Sequence, residues 1–430
     1  MSREHSVGYT NRMATDRVLL LAATTAYQTA DFQRAADRMG VEVVLGTDRC
    51  HVLAEVWPEG ALALEFRDPA HAAAQIVEQA GRGFAGIVAT DEKTSLIAAL
   101  AAERLGLPFN PVEATRATGD KLRLRQRLAD ARVNQPGFRV VAVDCDPAAL
   151  AAELQFPVVI KPRHLSTSRG VMRADTAREL GDRFARLVRL LAAPELIAKD
   201  PEAASSVLVE QFVAGPEVAF EGLLRGGRLQ ALALFDKPDP LDGPFFAETI
   251  YVTPSSLPAA VQQVIEARVA EATAAIGLCE GPVHAELRLG TGDPVVIEVA
   301  ARSIGGLCGR ALRFGAGISL EELVIAHAVR RDLRSARLAE ATGVLMLPVP
   351  SAGVLRAITG VEAATAVPGV RELTITARIG EEVEPLPEGN KYLGFVFAVG
   401  EQPGEVVSAL REANRTIGFT IAPLLRASSI

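Results

Sequence analysis

The chain has 430 residues, 49% of them hydrophobic, which is too much for one ordinary core and implies roughly two to four domains. A net charge of −7 without any dense Lys/Arg run argues against nucleic-acid binding as the main function. Cys50, Cys145, Cys279 and Cys308 form no CxxC pair, so a reduced cytoplasmic protein is expected rather than a disulfide framework or a zinc site.

The first 16 residues are polar and are expected to form a disordered tail. The apolar run Val18–Ala23 is too short to span a bilayer, so it reads as a first strand and no membrane partner is expected. From Arg17 to about Thr115, strands and helices alternate. RVLLLAAT is a strand, TADFQRAADRMG a helix ending at Gly40, and VEVVLGT the next strand. AHAAAQIVEQAGR is a second helix, and FAGIVATDEKTSLIAALAAERLG gives strand, loop and helix. Such βα units imply a parallel, Rossmann-like sheet covered by helices. No GxGxxG follows the first strand, which counts against a nicotinamide cofactor.

EATRATGDKLRLRQRLADARV reads as one helix whose start carries Gly119, Asp120 and Lys121. A strand, a loop, a strand and a helix follow, then VLVEQFVAGPEVAFEGLLRGGRLQALALFDKP as three strands. From about Thr342 the pattern suggests a third unit of strands with one closing helix.

The chemistry-bearing residues fall in order along this chain. Lys121 sits at a helix start, where a cation needs an anion nearby. Lys161 ends the apolar strand PVVIK, and the hydroxyl-rich stretch Ser166, Thr167, Ser168 and Gly170 after it suits a phosphate cover. Glu210 ends another apolar strand. The extended Gln211, Phe212 and Val213 offer backbone groups to a flat ring, and Glu217 suits a ribose diol. Lys237, Asp239, Asp242 and Glu248, with Phe245 and Phe246, make a Pro-rich loop suited to a small zwitterion.

The stretch PVHAELRLGTGDPVVIEVAARSIGG carries the strongest signal. Its two halves alternate around GTGDP, so it reads as an antiparallel hairpin. Centred near Gly292, that hairpin sets Glu286 opposite Glu298, with Cβ atoms roughly 5 Å apart. Two such carboxylates call for a cation between them, and oxygen-only ligands suit Mg²⁺. A glycosidase-like acid pair is the competing use, but one tryptophan, Trp57, and four tyrosines leave little to stack a sugar. Arg302, followed by Gly305 and Gly306, supplies a fixed cation and a backbone that an anion can approach. His284 reads either as a packed histidine or as a substrate contact, and His51 beside Cys50 has no ligand spacing.

Taken in order, these residues resemble the ATP-grasp superfamily across 17–340, and the FDKP loop and EVAARSIGG resemble bacterial L-amino acid ligases of the bacilysin type. The resemblance implies a Rossmann-like pre-ATP-grasp domain at 17–115 and an α/β ATP-grasp domain at 116–340. The latter has a mixed lid at about 122–212 and an antiparallel-sheet core, and a small α+β unit follows at 341–430. It implies ATP with Mg²⁺, or Mn²⁺ in its place. Lys121, Lys161 and the Ser166–Gly170 loop would lie on the phosphates, Glu210 with Gln211–Val213 on adenine, and Glu217 on ribose. Glu286 and Glu298 would ligate the metal, without the family's usual asparagine, since Ala300 stands there. Arg302, Gly305 and Gly306 would hold the acid, with Lys237, Glu248 and His284 also facing substrate. The implied activity is an ADP-forming carboxylate–amine ligase acting through an acyl phosphate, its partners a small acid and an amine. A formate- or bicarbonate-using ligase and an inactive ATP-binding module are the alternatives, and a homodimer is left open.

Overall fold

The computed structural model describes residues 16–24, 26–48 and 60–424. Cys50, His51, Trp57 and all but the last residue of the expected N-terminal tail lie outside them. Asp16 is described, and its carboxylate pairs with Arg331.

Four parallel strands open the fold in the order Ala61–Ala63, Glu42–Thr47, Arg17–Leu21, Gly86–Ala89. Helices Thr29–Met39, Pro69–Glu78 and Glu92–Leu105 cover the sheet, each ending or starting where local chemistry requires. Gly40 takes φ +63° to close the first helix, and the Asp68 and Asp91 side chains accept N–H bonds at the starts of the other two. One sheet face, with Val18, Leu20 and Val88, packs against Leu312, Phe314 and Val324 of the following domain.

The expected single helix over 113–133 is broken. Asp120 leaves the helical path at φ −130° to cap a second helix, Lys121–Asp130, and accepts the Leu122 N–H at 2.9 Å. Aspartate favours such a cap over a helix interior, so the chain turns there. After it comes the lid, an antiparallel sheet ordered Phe138–Ala142, Ser206–Gln211, Val158–Pro162, Met172–Ala174, backed by the helix Ala177–Leu191.

The core is an antiparallel sheet of eight strands. Its order is Val295–Ala300, Glu280–Arg288, Glu217–Arg225, Arg228–Asp236, Ile250–Thr253, Ala341–Pro348, Tyr392–Gly400, Val370–Ile375. The last three belong to the C-terminal segment, so the third unit is joined to the core through a shared sheet. Strand Ala341–Pro348 pairs directly with Ile250–Thr253. That segment also carries two helices, Val361–Thr365 and Pro403–Thr416, and a small sheet of its own, where one helix was expected. Among the described residues no helix is long and apolar enough to cross a membrane.

Candidate active site

A cleft runs between lid and core. Lys121, Lys161, Ser166–Ser168, Glu210–Val213, Glu217, Glu248, Glu286 and Glu298 all line it. Lid and core give it opposite walls.

On the lid wall, Lys161 is buried at the end of its strand and its Nζ lies 2.6 Å from Glu210 Oε2. Arg125 holds the same carboxylate from the far side with bonds of 2.7 and 3.2 Å, and donates to the Ile297 carbonyl at 2.7 Å. Burial pulls the Lys161 ammonium down to about 8, because Glu210 offsets only part of that cost and Arg125 adds repulsion. Burial alone would raise the Glu210 carboxyl, but Arg125 and Lys161 bring it down to about 2. Lys121 Nζ donates to the Leu165 carbonyl at 2.6 Å, and Arg163 grips Asp120 in turn. The cap of the second helix is thereby fixed to the start of the hydroxyl-rich loop.

Several expected contacts on this wall are already committed. The Gln211 N–H bonds Gly137, the Phe212 N–H bonds Pro157, and the Val213 carbonyl accepts from Arg288. The Val213 N–H makes no hydrogen bond with a described residue. Glu210 serves its two cations, so a role toward a base would fall to the backbone beside it. Gly170 turns away from the cleft: at φ +76° it packs on Leu187 and Leu190, and its N–H bonds the Pro387 carbonyl.

On the core wall, the hairpin forms with Glu286 opposite Glu298. A register shift between Glu286 and Leu287 leaves Ile297 as an extra residue, and its carbonyl is the one Arg125 takes. One face of the hairpin is core (Val283, Ala285, Leu287) and the other carries charge. Arg288 lies across from Glu217, and His284 across from Glu221, each pair joined by a hydrogen bond. Lys237 Nζ occupies the centre, 2.7 Å from Glu217, 2.8 Å from Glu248 and 3.0 Å from Glu286. Burial opposes its charge, yet the three carboxylates hold it well above the ordinary lysine range. Burial and the neighbouring Glu286 push the Glu248 carboxyl up, and its remaining partner is the Tyr251 hydroxyl. His284 loses charge to burial but gains more from Glu221 and Glu286, which bring it up to about 9.

The fit to a divalent cation can be tested on these residues. Glu217, Glu248 and Glu286 bring carboxylate oxygens within 4.8 Å of one another. Glu298 faces Glu286, is half-buried in the cleft wall, and makes no hydrogen bond or ion pair with a described residue. A carboxylate without a partner among the described residues, set opposite a second one at Glu286, suits a hard cation with oxygen ligands. The residues fit.

Arg302 lies beyond the lining, bound to Glu92 of the first domain through Nε at 2.8 Å and also through Nη2. Glu221 accepts the Ile304 N–H at 3.1 Å, which ties this turn to His284. Gly306 takes φ +61° against Phe395, where an added Cβ would stand 2.9 Å from the ring. Gly305 follows Arg302 without lining the cleft. Arg125, Arg288, Glu221, Tyr251 and Glu92 escaped the sequence reading. For Arg125 a signal existed, since it shares the buried helix face with Leu124 and Leu128.

Comparison with known families now has geometry to stand beside. An ATP-grasp domain model matches residues 154–311, preceded by an ATP-grasp N-terminal domain over 32–109. Residues 154–311 are thus an ATP-grasp domain. Beyond that domain, residues 345–422 match an L-amino acid ligase C-terminal domain 2. An uncharacterized protein of Sinorhizobium fredii is 28% identical over 325 residues, 74% of this chain and 65% of that one. Alanine–anticapsin ligase of Bacillus subtilis is 25% identical over 298 residues, 64% of this chain and 62% of that one. The chain thus spans less than two thirds of the length of both relatives. A crystal structure of an L-amino acid ligase from Bacillus licheniformis superposes with a TM-score of 0.75 at 26% identity, covering 95% of this chain and 99% of that one.

Proposed function

We propose that this protein is an ADP-forming carboxylate–amine ligase that joins an L-amino acid to an amine or a second amino acid. The observation that carries it is the facing pair Glu286–Glu298, with Glu298 free of hydrogen bonds and ion pairs among the described residues, in a cleft whose opposite wall presents Lys121 and Lys161. Likeness to an alanine–anticapsin ligase and to an L-amino acid ligase supports amino acids as the substrate class.

In this reading the substrate carboxylate attacks the γ-phosphorus of ATP. An O–P bond forms, the β–γ bridge breaks, and ADP and an acyl phosphate result. The amine nitrogen then attacks the acyl carbon, the C–O bond to phosphate breaks, and the amine sheds a proton. Mg²⁺, for which Mn²⁺ would substitute, would be held by Glu286 and Glu298 and would neutralise phosphate charge. The chain's own contribution is position and charge. Lys161 and Lys121 exchange Glu210 and the Leu165 carbonyl for phosphate oxygens, and Ser166–Ser168 cover them. Val213 N–H and the neighbouring backbone meet the base, and Glu217 keeps lone pairs for the ribose. Lys237 and Glu248 set the charge beside the reacting phosphate. Arg302 orients the acid with Gly305 and Gly306 at its side, and His284, charged and fixed by Glu221, braces Glu286.

The test is phosphate release from Mg²⁺ and ATP over a panel of L-amino acids, singly and in pairs, with mass detection. Release matched by a condensed product establishes the ligase and names both substrates. Bound ATP with no release for any pair overturns it.

A further inference from the structure

Three segments distant in sequence meet behind the hydroxyl-rich loop. Arg186 on the lid helix Ala177–Leu191 donates from Nε and Nη2 to both oxygens of Glu388 at 2.6 and 2.7 Å. Glu388 belongs to the loop entering the C-terminal strand Tyr392–Gly400. From that same loop the Glu388 carbonyl accepts Arg169 Nε at 2.8 Å, and the Pro387 carbonyl accepts the Gly170 N–H at 2.8 Å. The Arg186 guanidinium also lies 5.1 Å from the ring centroid of Phe245, in the Pro-rich loop.

What is gripped is a backbone that would not hold this shape unaided. Thr167 and Ser168 sit at φ +57° and +56°, a left-handed conformation that is unfavourable for such residues and persists only where the surroundings enforce it. The loop is tied at its start by Lys121 on the Leu165 carbonyl and at its end by Arg169 and Gly170 on residues 387–388. A bidentate arginine–carboxylate pair fixes direction as well as distance. Among the described residues, no other side-chain hydrogen bond or ion pair joins residues 387–388 to the lid helix.

We propose that Glu388, seated by Arg186, is a positioning residue for ligation: it keeps the 166–170 loop closed while the acyl phosphate awaits the amine. The inference rests on the ligase reading above. An open loop admits water, which adds to the acyl carbon. The C–O bond to phosphate then breaks, and free acid and phosphate return with ATP spent and no product formed. The grip thus acts on the choice between amine and water more than on substrate binding.

Two readouts on the full chain test this, in Glu388→Ala, in Arg186→Ala, and in the swapped pair Arg186→Glu with Glu388→Arg. The first is phosphate released per condensed product, with KM for the acid measured alongside. Each single variant is expected to raise the ratio about threefold to fivefold, the reach of a half-exposed ion pair, with KM little changed and the swapped pair returning toward one. A ratio of one in both single variants overturns the proposal. The second is amide hydrogen exchange of residues 166–170 without substrates, expected to quicken about fivefold in the single variants and to recover in the swap. Unchanged exchange also overturns it. Quickened exchange in a protein that releases no phosphate with any acid and amine supports the grip and overturns the ligase reading instead.

Discussion

On the lid wall Lys161 meets one carboxylate, Glu210, which Arg125 already holds from the other side, while on the core wall Lys237 meets three. The two lysines are about equally buried. Their proton affinities nonetheless part in opposite directions, down to about 8 for Lys161 and well above the ordinary range for Lys237. Burial is the largest single influence on each, yet it pushes both the same way; the balance of neighbouring ions decides the direction in which they part. The lid lysine is the more easily discharged of the two, and in the proposed reaction it would exchange Glu210 for a phosphate. The core lysine is locked and serves as a fixed cation inside an acidic nest.

The sharpest way to break this contrast is Lys237→Met. Removing the cation leaves three carboxylates facing one another, a loss of about 4 kcal/mol in stability by urea unfolding. Lys161→Met should cost far less, because Arg125 still neutralises Glu210, and equal losses for the two would refute the contrast. Next in size, Glu298→Gln should lower ATP turnover about a hundredfold while leaving unfolding almost unchanged, since that carboxylate holds no described partner. Intact turnover would show that Glu298 is not a metal ligand.

The smallest effect is the pH limb. A lysine with a lowered pKa carries its charge below that value and loses it above. So kcat/KM for ATP should fall above about pH 8, by about tenfold per pH unit. In Lys161→Arg that limb should vanish, and a limb that stays in place would assign it to another group.

The hairpin was legible from sequence because alternation and the GTGDP turn are local, and together they define the register that sets Glu286 against Glu298. The order of lysines, loop and glutamates was legible for the same reason. The partners were not. Arg125 reaches Glu210 across 85 positions, His284 reaches Glu221 across 63, and Arg302 reaches Glu92 across 210. Nothing in the local pattern of one residue announces the other. Lys237 and Glu248 stood out only as mixed charge in a loop, because their convergence with Glu217 and Glu286 depends on three strands lying side by side. The helix start at Lys121 was legible, but the separate helix Val112–Gly119 before it was missed for another reason. Its apolar spacing runs on unbroken into the next helix, and only the capping bond at Asp120 separates the two.

Strand Ala341–Pro348 lies in hydrogen-bond register with Ile250–Thr253, the strand that presents Tyr251 to Glu248. The C-terminal segment is thus a keel built into the hull, not a trailer hitched behind it. Ending the chain at residue 340 would bare the ladder of a central strand along its whole length, a template for pairing with other molecules. It would also remove Glu388, the carboxylate that Arg186 of the lid helix holds. Exchange of this segment between relatives therefore means resetting a sheet register, and any graft that slips by one residue turns Val344 and Met346 from one core face to the other.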